Sequence, residues 1–152
     1  PNFEFIKELV TACRGVVSSQ FILSYRISIH FVDSSYLRYN ADEFNIGKLV
    51  EILDGLGVDV FHSSELKAGK NMFGAKISLH ELIRSHTAKP IIACGRINSL
   101  EKAEHILKAG YADMIAIGRA LIPNPNLIKI FNGEVDSPIL AFDYDVHMDD
   151  LI

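Results

Sequence analysis

Apolar positions along this chain alternate between two rhythms, one typical of amphipathic helices and one typical of short buried strands. Between residues 46 and 56 the apolar side chains recur at three- and four-residue intervals, which predicts a helix. Runs rich in β-branched residues begin near residues 21, 58, 90 and 113, and a helical pattern separates each run from the next. Because parallel strands need a crossover connection, this alternation predicts an α/β chain of parallel βα units.

Capping residues predict where the helices begin. Asn2 precedes the first helix, and Asn98 with Glu101 has the spacing of a capping box. Asn124 followed by Pro125 is a typical start for the last helix. The predicted helices begin near residues 2, 46, 76, 98 and 124, and the predicted strands cover 21–26, 58–62, 90–94 and 113–117.

Two of the passages from helix to strand repeat each other. Leu56-Gly-Val-Asp59 and Ala109-Gly-Tyr-Ala-Asp113 both end a helix at glycine and open a strand with aspartate. In a parallel sheet these aspartates lie at the amino ends of the strands, whereas ligands bind beyond the carboxyl ends. We therefore expect Asp59 and Asp113 to be structural residues.

The composition is that of a single globular domain. The chain has 152 residues, of which 49% are apolar and 22% charged. Its net charge of −4 argues against nucleic acid and anionic membranes as partners, because both attract basic surfaces. No apolar run reaches the roughly 18 residues of a membrane span, and no signal-peptide pattern is present. Cys13 and Cys94 are too few for a disulfide framework or a zinc cluster, so we expect a cytoplasmic protein without a metal site.

The chain divides into two parts. Residues 1–132 carry the βα pattern without an internal linker. Residues 133–152 form an acidic, irregular tail that we expect either to wrap the surface or to be partly disordered. The chain starts at Pro1, without an initiator methionine, and opens directly into a helical pattern, which raises the expectation of a fragment of a longer protein.

The strongest chemical signal is a pair of Gly-Arg sequences at the ends of two successive strands. Gly95-Arg96 follows the third predicted strand, and Gly118-Arg119 follows the fourth. Glycine lets a backbone N–H approach an anion closely, arginine presents a planar fork of donors, and a short helix after Arg119 would point its positive end the same way. The pattern favours a phosphate site. The alternative is that the glycines turn the chain while the arginines form surface ion pairs.

Two further residues at the ends of predicted strands are candidate ligand-binding residues, and each has a structural alternative. Arg26 either faces the same ligand or forms a salt bridge at the rim of the sheet. His62 either binds a ligand or is a hydrogen-bonded histidine of the rim.

The remaining candidates are weaker. We expect Cys94 to be a small core residue. Long loops follow the first two strands, and the second loop places Lys67, Lys70 and Met72 either at a substrate rim or in plain solvent. The sequence contains no nucleophile–histidine pairing, metal-ligand spacing or paired carboxylates that would indicate another chemistry.

The fourth strand and the residues after it resemble the closing segment of the old yellow enzyme family, the FMN-dependent NAD(P)H:flavin oxidoreductases and ene-reductases. This segment reads Gly110-Tyr-Ala-Asp-Met-Ile-Ala-Ile-Gly-Arg-Ala-Leu-Ile-Pro-Asn-Pro125. Upstream motifs follow in the family's order and spacing: Tyr25-Arg-Ile-Ser28, Leu56-Gly-Val-Asp59 and Pro90-Ile-Ile-Ala-Cys-Gly-Arg96. The resemblance covers residues 3–132 and implies the C-terminal half of a TIM (β/α)8 barrel.

The resemblance also implies FMN as cofactor and NAD(P)H as the hydride donor to a small-molecule electron acceptor. It assigns the FMN phosphate to Gly95, Arg96, Gly118 and Arg119, and the pyrimidine edge of the flavin, near N1 and O2, to Arg26. A cation at that edge stabilises the anionic reduced flavin. Hydride would pass from NAD(P)H to flavin N5 and then to an activated alkene or another acceptor.

The chain departs from the resembled family because it matches only the last four of eight strands. The paired His/Asn that hold the substrate and the usual tyrosine proton donor belong to the other half. Tyr36 and Tyr39, in the loop after the first strand, are candidate substitutes for that donor, but only their position recommends them, so no catalytic residue is assigned. Whether the chain is an enzyme stays open, and the alternatives are an FMN- or phosphate-binding half-barrel without turnover and a structural remnant of a truncated enzyme.

Four strands of an eight-stranded barrel do not close into a complete sheet. They leave unpaired edges near residues 21–26 and 113–117 and one uncovered apolar face. We expect such a half-barrel to form a homo-oligomer or to pair with a separate N-terminal half.

Overall fold

The structure is a computed structural model that describes residues 2–28, 43–71 and 77–143. Helices and strands alternate through these residues, which confirms the alternation predicted from the apolar pattern. None of these helices is long and apolar enough to cross a membrane. In chain order the elements are α1 (Glu4–Val16), β1 (Ser24–Ser28), α2 (Glu43–Gly55), β2 (Val60–Ser64), α3 (Leu79–His86), β3 (Ile91–Cys94), α4 (Leu100–Lys108), β4 (Met114–Ala116), a turn of 3-10 helix (Arg119–Leu121) and α5 (Leu127–Phe131).

The strands form one parallel sheet in the order β1-β2-β3-β4. Each strand pairs with its neighbours in sequence, and the register places Arg26, His62, Ile92 and Met114 side by side across the sheet. A doubly wound sheet reverses its strand order at a switch point, whereas strands follow one another in this way around a (β/α)8 barrel. The topology therefore fits a section of barrel wall.

One face of the sheet packs against the helices and carries the core. Phe61, Ile91 and Ala93 are fully buried there, and Ile27 is nearly so. The helices contribute further fully buried side chains: Val50, Leu53, Leu79 and Ile83. Burial of these apolar side chains is the main source of stability for a domain of this kind.

The opposite face of the sheet, called the open face below, carries the alternate residues of each strand. Its residues are apolar on β3 and β4 and more polar on β1 and β2. On the apolar half, Met114 is 42% exposed. The expectation of an apolar face is therefore correct for only half of the sheet. The residues of the open face are Ser24, Arg26, Ser28, Val60, His62, Ser64, Ile92, Cys94, Met114 and Ala116.

The strands start later in the chain than their sequence patterns predict. β1 begins at Ser24 rather than at residue 21, and β2 begins at Val60 rather than at residue 58. The backbone N–H of Asp59 donates to the carbonyl of Leu23 at 2.8 Å, just before the paired run begins. The existence of the strands is confirmed, and their bounds shift because pairing with the neighbouring strand decides where a strand starts.

Two predicted helix caps are wrong. α4 is capped by Ser99, whose Oγ accepts the N–H of Lys102 at 3.3 Å, and not by Asn98. α5 begins at Leu127, three residues after Asn124. At α4 the neighbouring residue provides the cap, because the direction in which the chain enters the helix decides which polar side chain reaches the free N–H groups. At α5 the N-cap position is Asn126, which makes no side-chain capping bond.

The starts of two other helices follow the capping rules. Asn2 Oδ1 accepts the N–H of Glu4 at 3.0 Å at the start of α1, from one residue before the N-cap position, which is Phe3. A complete capping box opens α3, in which Ser78 Oγ accepts the N–H of Glu81 at 3.4 Å and Glu81 Oε2 accepts the N–H of Ser78 at 2.6 Å. The sequence interpretation missed this box, so it began the helix at residue 76 instead of at Leu79.

Asn124 anchors the described part of the tail. Its Oδ1 accepts the N–H of Leu140 at 2.8 Å, and its Nδ2 donates to the carbonyls of Leu140 at 2.9 Å and Ala120 at 2.8 Å. Because the side chain is buried, these bonds replace its lost hydration. Residues 133–143 contain no helix or strand and are bound to the surface at this point.

Candidate functional site

Four of the five predicted site residues lie at the carboxyl edge of the sheet. The prediction that Arg26 and His62 lie at strand ends is wrong, because pairing shifts the strand bounds and places these residues in the middle of β1 and β2. Gly95 and Arg96 directly follow β3, and Gly118 and Arg119 follow β4 after one intervening residue. Because β3 and β4 are paired neighbours, these two turns follow adjacent strands. Arg26 belongs to the open face of β1, which β2 separates from β3. The sheet therefore brings the two Gly-Arg turns to the same edge and places Arg26 two strands away.

The turn at Gly95 and Arg96, called the 95–96 turn below, has an unusual backbone. Gly95 has a φ of 148°, and Arg96 has a φ of 46°. Arg96 is the one non-glycine residue with a positive φ in the described parts of the chain. Such a conformation costs an L-residue about 1–3 kcal/mol, so surrounding contacts must hold it. One of these contacts comes from α4, where Lys102 Nζ donates to the carbonyl of Arg96 at 2.5 Å.

Gly95 is required by a close contact between two loops. A Cβ at this position would lie 2.6 Å from the carbonyl oxygen of Glu65 and 2.6 Å from the backbone nitrogen of Ala68. The N–H of Ala68 also donates to the carbonyl of Gly95 at 2.9 Å. The sequence interpretation explained this glycine by the approach of an anion. The structure adds an intramolecular reason, because the loop after β2 packs directly on the turn after β3.

The turn at Gly118 and Arg119, called the 118–119 turn below, is built differently. Nothing lies within 4 Å of the position that a Cβ on Gly118 would occupy, and both residues are exposed. Arg119 opens a 3-10 turn that ends at Leu121. The predicted short helix after the fourth strand is therefore confirmed as one turn. Here the missing side chain leaves free space in front of the backbone, which is what a close ligand needs.

Lys67 and Lys102 add positive charge beside Arg96. Burial lowers the pKa of Lys102, and the neighbouring charges of Lys67 and Arg96 lower it further. An anion placed among these cations would relieve their mutual repulsion. The sequence interpretation missed Lys102, although its position near the start of a helix could have indicated it. The residue lies in the first turn of the helix that starts from the carboxyl edge of β3.

Arg26 and His62 form the polar part of the open face. Arg26 Nη2 donates to Ser64 Oγ at 2.7 Å, which holds the guanidinium along the end of β2. Burial lowers the pKa of His62, and the charge of Arg26 lowers it further, so the imidazole is neutral at neutral pH. Its Nε2 is buried and lacks a hydrogen-bond partner in the described structure. An unpaired buried ring nitrogen favours the ligand interpretation of His62 over that of a hydrogen-bonded rim residue.

The prediction that Cys94 lies in the core is wrong. Strand alternation buries Ala93 against the helices and turns Cys94 to the open face, where it is a half-buried free thiol. Other expectations fall outside the described residues, namely the donor roles of Tyr36 and Tyr39 and the rim position of Met72.

The sequence profile of the NADH:flavin oxidoreductase / NADH oxidase family matches residues 2–135. The chain belongs to this family. The NADPH dehydrogenase of Clostridium acetobutylicum is 30% identical over 140 residues, which cover 88% of this chain and 41% of that protein. The chain therefore spans less than half the length of this relative.

Solved structures share the fold of this chain. Morphinone reductase in complex with tetrahydroNAD superposes with a TM-score of 0.72 and 24% identity, covering 94% of this chain and 36% of that one. The old yellow enzyme homologue of Zymomonas mobilis superposes with a TM-score of 0.67 and 21% identity, covering 94% and 39%. The family match confirms the resemblance to the old yellow enzyme family, and the solved structures confirm the assignment to part of a TIM (β/α)8 barrel. FMN is the cofactor of this family, as predicted.

The residues at the carboxyl edge fit the phosphate of such a cofactor. Cations whose repulsion an anion would relieve surround the 95–96 turn, and the space in front of Gly118 is free. On the open face, the guanidinium of Arg26 and the unpaired Nε2 of His62 offer polar groups to the edge of a ring. The donor set is cationic and neutral, as an anionic flavin nucleotide requires.

Proposed function

We propose that this chain is the FMN-binding portion of an NAD(P)H-dependent flavin oxidoreductase. The supporting observation is the pair of Gly-Arg turns at the carboxyl ends of two adjacent parallel strands, with Lys102 beside one of them. Phosphate sites of (β/α)8 barrels are frequently built from the loops after the last two strands. When bound, FMN supplies the hydride chemistry, from NAD(P)H by way of N5 to an activated alkene or another acceptor.

The chain's own residues bind and orient in this proposal. Arg96 and Arg119 bind the phosphate with their guanidinium groups, and Gly95 and Gly118 keep the backbone close to it. Lys102 adds a further cation to the phosphate site. Each charge-assisted hydrogen bond to a phosphate contributes about 1.5–3 kcal/mol, so these contacts together would dominate the affinity.

Arg26 orients the other end of the cofactor. Its guanidinium is held toward Ser64 on the open face and places a positive charge where the pyrimidine edge of the flavin would lie. His62 is the neighbour of Arg26 across the β1–β2 pair, and its neutral imidazole adds a hydrogen-bonding group beside that charge. No catalytic acid is assigned to the chain.

The proposal includes a second half-barrel as partner. The open face and the edge strands β1 and β4 are uncovered in the sheet of the described residues. α1 also exposes an apolar stripe, on which Phe5 is 74% and Leu9 is 46% exposed. Exposed apolar patches of this kind mark interaction sites. An N-terminal half-barrel or a second copy of this chain would cover these surfaces.

A flavin titration tests the proposed phosphate site. The full chain is titrated with FMN and, in parallel, with riboflavin, which has the same ring and no phosphate. We expect tighter binding of FMN, and we expect Arg96→Ala/Arg119→Ala to weaken FMN by at least about a hundredfold, because each arginine is worth about 1.5–3 kcal/mol. Lys70→Ala, which removes an exposed loop cation, serves as the matched control. Equal affinities of the parent for FMN and riboflavin would contradict the proposal.

An NAD(P)H oxidation assay on the FMN-loaded chain distinguishes the alternatives. Turnover by the chain alone would identify a working enzyme. FMN binding without turnover, restored by adding an N-terminal half-barrel, would identify the chain as the cofactor-binding portion. FMN binding without turnover under either condition would favour the half-barrel that binds FMN but does not react.

A further inference from the structure

A buried polar cluster lies behind the 95–96 turn. Glu65 Oε1 and His80 Nδ1 are 2.7 Å apart, and their side chains are only 2% and 3% exposed. Ser78 Oγ lies 3.3 Å from His80 Nε2, and Ser63 Oγ donates to Glu65 Oε1 at 3.5 Å. Solvent does not reach this cluster, so it does not meet a ligand directly. Its function must act through the backbone that it holds.

The backbone held by Glu65 is the wall against which the 95–96 turn packs. The N–H of Glu65 donates to the carbonyl of Cys94 at 3.1 Å, and the carbonyl of Glu65 is one of the atoms that exclude a Cβ from Gly95. Three residues later, the N–H of Ala68 donates to the carbonyl of Gly95. Residues 65–68 therefore contact both sides of Gly95. Their position fixes the backbone from which Arg96 continues.

Residues 65–68 belong to no helix or strand, so tertiary contacts must hold them. Leu66 is 46% exposed, whereas Ala68 is buried. The Glu65–His80 contact connects this loop to α3, which packs against β2 and β3 in the core. A buried hydrogen-bonded pair is directional, because both partners lose hydration unless they meet in one geometry. An apolar side chain at residue 65 would fill the space without fixing the orientation of the loop.

We propose that Glu65 and His80 are positioning residues that hold the 95–96 turn in its phosphate-binding geometry. This inference rests on the proposed function, because it gives the two residues a role in FMN binding. Glu65 and His80 contact neither the phosphate nor the flavin. They act through residues 65–68 on Gly95, whose carbonyl accepts the N–H of Ala68 and which directly precedes Arg96 in its left-handed conformation.

The test compares two glutamates that both stabilise the region of α3. Glu65→Ala removes the partner of His80, and Glu81→Ala removes the capping box of the same helix without touching residues 65–68. We expect Glu65→Ala to weaken FMN by about tenfold or more, because a small misplacement of a binding group is costly. The affinity for riboflavin should stay within about twofold of the parent value. Glu65→Gln, which keeps the shape and one acceptor, should recover most of the FMN affinity.

A second readout needs no flavin. Amide hydrogen exchange at Ala68, whose N–H is bonded to Gly95, reports whether the loop still packs on the turn. We expect faster exchange in Glu65→Ala than in Glu81→Ala when the two variants have equal unfolding temperatures. If Glu65→Ala does not fold, His80→Gln takes its place in both measurements.

The outcomes separate this inference from the proposed function. If the parent prefers FMN to riboflavin while Glu65→Ala keeps that preference and the parent exchange rate at Ala68, the positioning role is wrong and the phosphate site stands. If the parent binds FMN and riboflavin equally, the proposed phosphate site fails and the role of Glu65 in it fails as well.

Discussion

Asp59 and Asp113 make the same contacts in two different βα units. Asp59 Oδ2 accepts the backbone N–H of Leu23 at 2.8 Å, and Asp113 Oδ2 accepts the backbone N–H of Ile91 at 2.8 Å. Each carboxylate therefore holds the start of the strand that precedes its own in the sheet. Both lie at the amino edge, opposite the Gly-Arg turns, which confirms that they are structural.

The arginines that pair with these carboxylates repeat as well. Arg14 of α1 pairs with Asp59, and Arg84 of α3 pairs with Asp113. Arg14 Nη1 also donates to the carbonyl of Phe21 at 3.0 Å, and Arg84 Nη1 donates to the carbonyl of Lys89 at 3.1 Å. Each of these carbonyls lies two residues before the N–H that the aspartate accepts. The chain thus repeats one arrangement with a period of two βα units.

The first prediction concerns Asp59 and acid stability. The N–H of Leu23 and then Arg14 lower the pKa of Asp59 below its ordinary value of 3.8. A lowered folded-state pKa contributes stability that is fully present above the unfolded pKa and is lost as the pH falls through the folded value. We expect Asp59→Ala to unfold at a lower temperature than the parent at pH 7, and the difference to shrink below about pH 3.8. Thermal unfolding across pH measures it, with Asp136→Ala as the exposed control; a difference independent of pH would contradict the prediction.

The second prediction separates the two glycines of the Gly-Arg turns. Gly95→Ala should destabilise the fold by about 1–3 kcal/mol or more, because it combines a positive φ with a backbone clash. Gly118→Ala should unfold at the parent temperature, since its Cβ enters free space. FMN binding should nevertheless weaken in Gly118→Ala, because the added methyl group occupies the approach to the backbone. Denaturant unfolding and FMN titration of both variants give the comparison, and a destabilised Gly118→Ala would count against it.

The third prediction concerns the pH dependence of phosphate binding. Burial and the nearby cations lower the pKa of Lys102 from the ordinary 10.5, so this residue loses its charge at a lower pH than other lysines. FMN affinity should therefore fall as the pH rises through that lowered pKa, and Lys102→Met should remove this fall together with about tenfold of the affinity at pH 7. Riboflavin measured over the same range corrects for titration of the ring. A parent whose FMN affinity is flat up to the range of ordinary lysines would rule this out.

The fourth prediction concerns the partner of the open face. Met114→Asp puts a charge on the apolar half of that face, where it costs the folded half-barrel little because the side chain is already exposed. Association with a second half-barrel would bury the charge without a partner, so the dissociation constant should rise at least about tenfold. Leu107→Asp, at an exposed position of α4, is the control. Analytical ultracentrifugation over a concentration series gives the result, and equal association of both variants would exclude the open face as the interface.

Much of the architecture was accessible from the sequence because it depends on neighbouring residues. The alternation of helices and strands follows from periodicity within a few residues, and the Gly-Arg turns follow directly from the ends of the strands. The cap positions were less accessible. Asn124 looks like a helix cap in its local context, yet its amide is taken by the backbone of Leu140, which no pattern within one turn of helix reveals.

The candidate site divides in the same way. The sequence by itself determined that the two Gly-Arg pairs reach the carboxyl edge, because each pair follows a strand pattern that is local in the chain. Pairing between strands then placed Arg26 in the middle of β1 rather than at its end. Only the tertiary structure decided that Lys102 meets Arg96, that Gly95 is required by the loop after β2, and that Glu65 meets His80 across 15 residues of chain. These contacts depend on how separate elements pack together, and packing joins residues whose distance along the chain carries no signal of their proximity in the fold.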